Sequence, residues 1–368
     1  PVHRAEVSRI TGLSKPTVSL SLQSLLSSGL VTETARRHGD GGRAASHFTA
    51  VKDAALVLAV DIGARFVRGR LTDLAGQSMT QTDIPLGDQS LGGVLHTVVA
   101  VRDRLLTDAH ARPADVAIAV VGTPGIIDPL SGVVTEPGQI FALEGVALGE
   151  LLTQRLGVEV VLENDVNLMA LGEQSAGYGR GVDNFAVLAV GTGLGAGLVL
   201  NGELYRGSRG AAGEVHVIPY AEVSGGPRYE MDPAASGFEV MARSAATKLS
   251  SRLLREPFDA ADVFAAAREG DAAALEAIEL EAAAIARYLV ALAAVIDVNL
   301  VVLAGGIGAN ADLTLEPLRA AVGEIVRFPP RIECTGLGRG AVLEGAAAVG
   351  LRQARNWLFE FRVVPHRG

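Results

Sequence analysis

Residues 188–214 read Leu-Ala-Val-Gly-Thr-Gly-Leu-Gly-Ala-Gly-Leu-Val-Leu-Asn-Gly-Glu-Leu-Tyr-Arg-Gly-Ser-Arg-Gly-Ala-Ala-Gly-Glu. Two apolar β-runs flank a turn that carries Gly191, Gly193, Gly195 and Gly197. The segment reads as a β-hairpin. A glycine turn between strands lets backbone N–H groups approach an anion closely, because no Cβ stands in the way.

The hairpin sits in a chain of 368 residues, too long for one hydrophobic core. Two or three domains are expected. No apolar run has the length of a membrane span, and no signal peptide is read at the start. A single cysteine, Cys334, excludes an intramolecular disulfide and a thiolate-rich zinc site, and fits a reducing, cytoplasmic setting. Net charge is −9, unevenly spread. Residues 1–50 carry +3 and the remainder −12. A small basic head on an acidic body directs attention to nucleic acid.

Residues 4–11 have a short helical pattern with Val7 and Ile10 on one face, and Gly12 breaks it. Ser14 is a good N-cap, and Pro16 falls in a first turn, where a missing N–H costs little. Over 15–28 the apolar residues Val18, Leu22, Leu25 and Leu26 recur at helical spacing, and Gly29 stops the run. Helix, short turn, helix is the helix-turn-helix arrangement. Residues 32–37 and 43–50 then flank a Gly/Asp turn and form a hairpin, or wing. Lys15, Pro16, Thr17, Ser19 and Gln23 on the second helix are placed to meet bases and phosphates of a double-stranded operator. Arg36, Arg37 and Arg43 on the wing suit phosphates or a minor groove. A winged helix ordinarily has one more helix, which is expected upstream of residue 1.

After a linker at 51–55, strands are expected at 56–63, 67–73 and 80–85, a helix at 91–110 and a strand at 115–122. The same β-β-β-α-β order recurs with strands at 184–190, 195–200 and 203–205, helices through 233–296 and a strand at 299–303. The apolar helix 272–295 reads as core rather than interface. The predicted fold class is α/β: an N-terminal winged helix-turn-helix (1–50), then a two-lobed actin/hexokinase-like (ribonuclease H-like) ATPase fold. Its lobes span 56–163 and 164–355, the second carrying dimerisation, with an unassigned tail at 356–368.

Five motifs in order carry a family resemblance: Asp61-Ile-Gly63, Gly122-Thr-Pro-Gly125, Glu163-Asn-Asp-Val-Asn167, the hairpin with Gly210-Ala-Ala-Gly-Glu214, and Leu303-Ala-Gly-Gly-Ile-Gly308. Over nearly its whole length the chain resembles the ROK family, which contains both sugar kinases and winged-helix transcription regulators. The resemblance implies that Asp165 stands at the general-base position and Asn164 at a hydroxyl-binding amide. Asp165 is also a candidate N-cap for a helix at 166–177. Glu214 matches a sugar-binding glutamate and Asp232 a second acidic sugar ligand. His216 is one place early for the family's histidine, and on a strand a one-residue slip would point it to the opposite face. Gly125 completes the implied ligand set. Asp61, Gly63, Gly191, Thr192, Gly193, Gly195, Gly305 and Gly306 form a nucleotide-like loop set.

Several departures weigh against kinase chemistry. Where ROK kinases carry Asp-Ile-Gly-Gly-Thr-Lys, this chain has Asp61-Ile-Gly-Ala-Arg-Phe66, with Arg65 bulky where backbone and hydroxyl should approach. The cysteine-rich zinc loop is replaced by a cysteine-free stretch at 224–236, so no structural zinc is expected. Pro137-Gly-Gln139 replaces a Pro-Asn-Leu element and drops a polar sugar contact. Catalytic contacts fail as a unit. The expected function is therefore a transcription regulator, a repressor, that dimerises or tetramerises and senses a sugar-like effector, with no active catalytic residue, metal or cofactor. The alternative is an active ATP-dependent sugar kinase that also regulates.

Overall fold

The structure, a computed structural model, describes residues 1–36, 45–191, 193–218, 237–308 and 310–360. The chain opens with β1 (Val2–His3), α1 (Arg4–Thr11), α2 (Lys15–Ser27), β2 (Val31–Arg36) and β3 (Ala45–Ala50). Gly12, at φ +70°, ends α1 in a left-handed cap that few other residues accept. Ser14 caps α2, its Oγ accepting from Thr17 N at 3.3 Å. The strands form an antiparallel sheet in the order β1-β3-β2. Val18, Leu22 and Phe48 make a small core, with Val7, Leu26 and Val31 packed against it. Strand β1 was not expected. Ile10 does not share the inner face with Val7; it is 66% exposed.

Two five-stranded sheets follow. The first is built from β4 (Leu56–Ile62), β5 (Phe66–Asp73), β6 (Ser78–Pro85), β7 (Val116–Thr123) and β10 (Val160–Asn164). Helix α3 (Leu91–Asp108), the short ribbon β8 (Ile126–Ile127) with β9 (Val134–Thr135), and α4 (Leu148–Leu156) lie in its connections. After α5 (Asp165–Ala176) the second sheet is built from β11 (Phe185–Val190), β12 (Leu194–Leu200), β13 (Glu203–Tyr205), β14 (Leu300–Ala304) and β15 (Arg331–Cys334). Helices α6 (Gly237–Leu249), α7 (Ala260–Arg268), α8 (Ala272–Ile296), α9 (Gly305–Gly308) and α10 (Ala311–Ile325) are interleaved, and α11 (Ala341–Leu358) ends the described fold. The strand orders are β6-β5-β4-β7-β10 and β13-β12-β11-β14-β15. Both start with an antiparallel three-strand meander and end with two parallel crossovers, so the repeat seen in sequence is a repeat of topology.

Continuous apolar strands are what two covered faces require. Along β4, Leu56, Leu58, Val60 and Ile62 face α3 and α4, while Ala59 faces α5 and α11. Along β11, Ala186, Leu188 and Val190 join the core of α6, α7, α8 and α10, while Phe185, Val187 and Ala189 face α5. Helices α5 and α11 thus form the central layer. They approach closely: a Cβ on Gly345 would strike Leu168 O, and one on Gly172 would strike Ala341 O. Helix α8 buries one stripe, including Ala277, Ile285 and Leu289, and leaves Leu275, Leu280 and Val295 exposed.

Element edges differ from the reading by one to three residues. Helix α11 continues through 356–358, past the expected end of the second lobe at 355. Gly195 and Gly197 lie inside β12 rather than in the turn, and a Cβ on Gly197 would strike Val166 O. Gly197 therefore permits α5 to lie directly on the sheet. Among the described residues no helix is long and apolar enough to cross a membrane.

Candidate functional site

The period of β4 that turns Ala59 toward the central layer turns Asp61 the same way. Asp61 is 5% exposed, and burial raises its carboxyl above the usual range, partly offset by Arg68. From the neighbouring strand Arg68 Nη1 donates to Asp61 Oδ2 at 3.1 Å. The two are direct cross-strand partners in the β4–β5 hairpin. Arg68 Nε also lies 3.5 Å from Asp83 Oδ2.

Strand β10 delivers the second group. Asn164 is the N-cap of α5: its Oδ1 accepts from Asn167 N at 3.0 Å, and its Nδ2 donates to Gly125 O at 3.1 Å. The capping role proposed for Asp165 thus belongs to Asn164, because the helix starts one residue earlier than expected. Gly125, at φ +102°, bends where a Cβ would meet Thr135 O and Pro137 Cα. Asp165 is the first helical residue, half-buried, and its Oδ1 accepts from Val166 N at 2.9 Å. Burial pushes its carboxyl up to about 7, helped by the negative charges of Asp61 and then Glu214, with the Val166 N–H pulling the other way.

The Gly210–Glu214 loop supplies the third group. Gly213, at φ +95°, sits so close to β12 that a Cβ would strike Ala196 O, and Ala196 N donates to Gly213 O at 2.7 Å. Half-buried Glu214 follows. Val215–Val217 is a 3-10 turn, not a strand, so the argument that His216 must face away does not apply. His216 Nδ1 lies 3.2 Å from Glu214 Oε2, and its Nε2 lies 3.8 Å from Glu136 Oε2. Asn164, Asp165, Gly125, Glu214, His216 and Asp61 are therefore drawn into one neighbourhood. Asp232 and the whole cysteine-free stretch lie outside the described residues, as does Thr192. Among the described residues there is no cluster of side chains suited to a metal.

The glycines of the second half also meet. Gly191 N donates to Gly193 O at 3.0 Å. A Cβ on Gly191 would lie 3.4 Å from Gly306 N, and one on Gly305 (φ +81°) would strike Val190 O. Gly195 touches α5, where a Cβ would lie 3.4 Å from Val166 Cγ2. In the first loop Gly63 N donates to Phe66 O at 3.0 Å. Arg65 is exposed; the cation that enters this loop is Arg68, whose Nη1 would lie 3.9 Å from a Cβ on Gly63.

Three functional candidates escaped the sequence reading. Arg68 could have been found from the hairpin register, since Asp61 and Arg68 are equidistant from the turn. Glu163 is 6% exposed and accepts from Arg206 Nε (2.7 Å), Asn167 Nδ2 (2.9 Å) and Asn164 N (2.9 Å). An acidic residue inside an apolar strand demands such partners. Arg206, at the head of the Glu214 loop, was beyond sequence reasoning because its partner is 43 residues away.

On the head, Lys15, Pro16, Thr17 and Gln23 are exposed, and Ser19 is half-buried. Thr17 Oγ1 lies 2.8 Å from Ser14 Oγ, so it also secures the helix cap. Leu20 stands out on the same helix at 68% exposure. Arg36 ends β2 opposite Ala45. Arg37 and Arg43 lie outside the described residues.

Residues 57–353 match the ROK family. The chain is 28% identical over 215 residues to a xylose repressor from Bacillus subtilis, covering 58% of this chain and 56% of the repressor. The chain spans about half the length of the xylose repressors it matches. It is 28% identical over 274 residues to a glucokinase from Halalkalibacterium halodurans, covering 71% of this chain and 83% of the kinase. Among solved structures, a ROK family transcriptional regulator, a homologue of the E. coli Mlc protein, superposes with a TM-score of 0.80 at 20% identity. That likeness covers 99% of this chain and 94% of the regulator, and it establishes the fold. With the family match spanning both sheets and the central helices, the chain belongs to the ROK family.

Proposed function

We propose that this protein is a DNA-binding transcription regulator, a repressor, whose kinase-like body senses a neutral sugar without phosphorylating it. One observation supports the reading: two short helices and a three-stranded sheet precede a ROK body in one chain, and the fold likeness to a ROK regulator covers 99% of the chain. The repressor relatives add support. In this reading the head is a winged helix that enters the major groove with Lys15, Pro16, Thr17, Ser19 and Gln23, and its wing arginines Arg36, Arg37 and Arg43 meet the backbone. Leu20 offers an apolar surface of the kind that meets a thymine methyl group.

The ligand site is acidic. Glu136, Asp165 and Glu214 offer carboxylate acceptors, which suits a polyhydroxylated, uncharged effector and repels an anionic one. Asn164, Gly125, His216 and Asp232 complete the proposed contacts. Two heads on a homodimer double the phosphate contacts on a palindromic operator. Sugar and operator then compete by population shift: the sugar favours one arrangement of body and head, and operator affinity falls by the same factor as sugar affinity falls on the operator.

The glucokinase relative and the Asp165 carboxyl at about 7, suited to a general base, favour a second reading: an active sugar kinase that also regulates. Two measurements on one preparation decide. Fluorescence anisotropy with DNA from the protein's own upstream region reads operator binding across a panel of hexoses, pentoses and N-acetylhexosamines. An ADP-release assay runs on the same panel. Sugar-dependent release of operator without ADP formation is expected. Sugar-dependent ADP formation that Asp165→Asn abolishes would establish the kinase instead.

A further inference from the structure

We infer that Arg68 is a built-in counter-cation that occupies the place a magnesium–nucleotide complex would need, and so confines the cleft to a metal-free sugar ligand. The inference deepens the regulator reading and rests on it only in treating the body as a sensor. A nucleotide site of this kind needs two things at the end of β4: a carboxylate open to a hydrated divalent cation, and a glycine loop open to phosphate. Neither is open. The Asp61 carboxylate accepts from Arg68 Nη1 at 3.1 Å, and its side chain is 8% exposed. The same Nη1 would lie 3.9 Å from a Cβ on Gly63, so the guanidinium stands within contact distance of the loop. The Phe66 ring, 5.9 Å from the guanidinium carbon, flanks it on the same strand. The residues present therefore do not fit a magnesium–nucleotide complex.

The charges explain why the arginine stays. Asp61 is buried, and losing its cation would leave an uncompensated carboxylate out of water. Arg68 also lies 3.5 Å from Asp83 Oδ2. A divalent ion would have to displace one guanidinium from two carboxylates and shed part of its own hydration shell. The guanidinium is held by the hairpin register, Asp61 opposite Arg68, and needs no ligand to place it.

The test is manganese binding, read by the loss of the free Mn2+ electron paramagnetic resonance signal, with and without the non-hydrolysable nucleotide AMPPNP. It compares the full chain with Arg68→Ala, Arg68→Gln and Arg68→Lys. Circular dichroism confirms folding. Wild type and Arg68→Lys should show no Mn·AMPPNP binding at millimolar concentration. The neutral variants should bind at least about tenfold tighter, and Asp61→Asn added to Arg68→Gln should remove the gain. Mn·AMPPNP binding by wild type overturns the inference even if the neutral variants do not fold. So does a folded neutral variant with no gain. Operator binding and its release by sugar, measured on the same samples, report on the regulator reading separately.

Discussion

Arg355, near the end of α11, donates from Nε (3.2 Å) and Nη2 (2.7 Å) to the backbone carbonyl of Leu74. Leu74 N in turn donates to Lys52 O at 2.8 Å, in the linker that leaves the head. Helix α11 packs against α5, whose first turn holds Asp165. A continuous set of contacts thus joins the proposed sugar site to the N-terminal head. Arg355→Ala is expected to leave the sugar Kd within about twofold. The factor by which sugar weakens operator binding should fall toward one, out of the ~5–150-fold typical of coupled sites. Anisotropy titrations with and without sugar measure both. An undiminished factor would exclude this route.

Asp165 sets a pH dependence. Its folded-state carboxyl titrates at about 7, above the ordinary value of 3.8. The native state therefore holds a proton that the unfolded chain has released between those values. Stability from this group falls as pH rises from about 4 to about 7 and is level above. The difference is at most about 4 kcal/mol, at about 1.4 kcal/mol per pH unit. Asp165→Asn should match wild type near pH 4 and exceed it by about 1–4 kcal/mol at pH 8, in urea denaturation at the two pH values. The same stability gap at both pH values would contradict an elevated carboxyl.

Gly345→Ala sets two effects against each other. Alanine in a helix interior is favoured over glycine by about 1 kcal/mol. Here the new Cβ would strike Leu168 O, a backbone atom that cannot rotate aside. Overpacking should win, for a net loss of about 1–3 kcal/mol. Because α5 must shift, sugar affinity should fall with it. A rise in Tm would show that α5 and α11 are less tightly apposed.

Arg206→Ala removes the charged partner of buried Glu163 and leaves it Asn167 Nδ2 and Asn164 N. Arg206 is 48% exposed, so water replaces part of its contact and the loss should be about 1–2 kcal/mol. Weaker sugar binding should follow, because the Glu214 loop loses its tie to β10. Calorimetric titration with the responding sugar checks this; unchanged affinity would mean the loop is held elsewhere.

On the head, Lys15 and Gln23 should separate by salt. Lys15→Ala should lower the magnitude of the log Kd versus log salt slope by about 1 per head, hence about 2 for a dimer on a palindrome. Gln23→Ala should weaken the preferred operator by about 1–3 kcal/mol and leave the slope alone. If Gln23→Ala weakens all DNA equally, α2 is not the reading helix.

The architecture was legible because both sheets bury two faces. That makes β4, β7, β11 and β14 nearly unbroken apolar runs, and the glycine punctuation between them marks the turns. Ser14, Pro16 and Gly12 announced the two head helices for local reasons, so those boundaries fell within a residue of the reading. Strand β1 was missed because two residues carry no period; it exists only through its pairing with Phe48 and His47. Residues 215–217 look like a strand in sequence but fold as a 3-10 turn held by Gly213 against Ala196, which removes only the strand argument about His216.

By itself, then, the sequence determined the repeated α/β plan, the head and the acidic residues Asp61, Asp165 and Glu214, since each depends on spacing or local backbone preference. Tertiary structure decided how those carboxylates are used. Burial and mutual repulsion raise Asp165, while Arg68 and Arg206 neutralise Asp61 and Glu163 across strand and loop boundaries. Charge pairing around buried carboxylates depends on distances of a few ångströms, and no spacing along the chain specifies those.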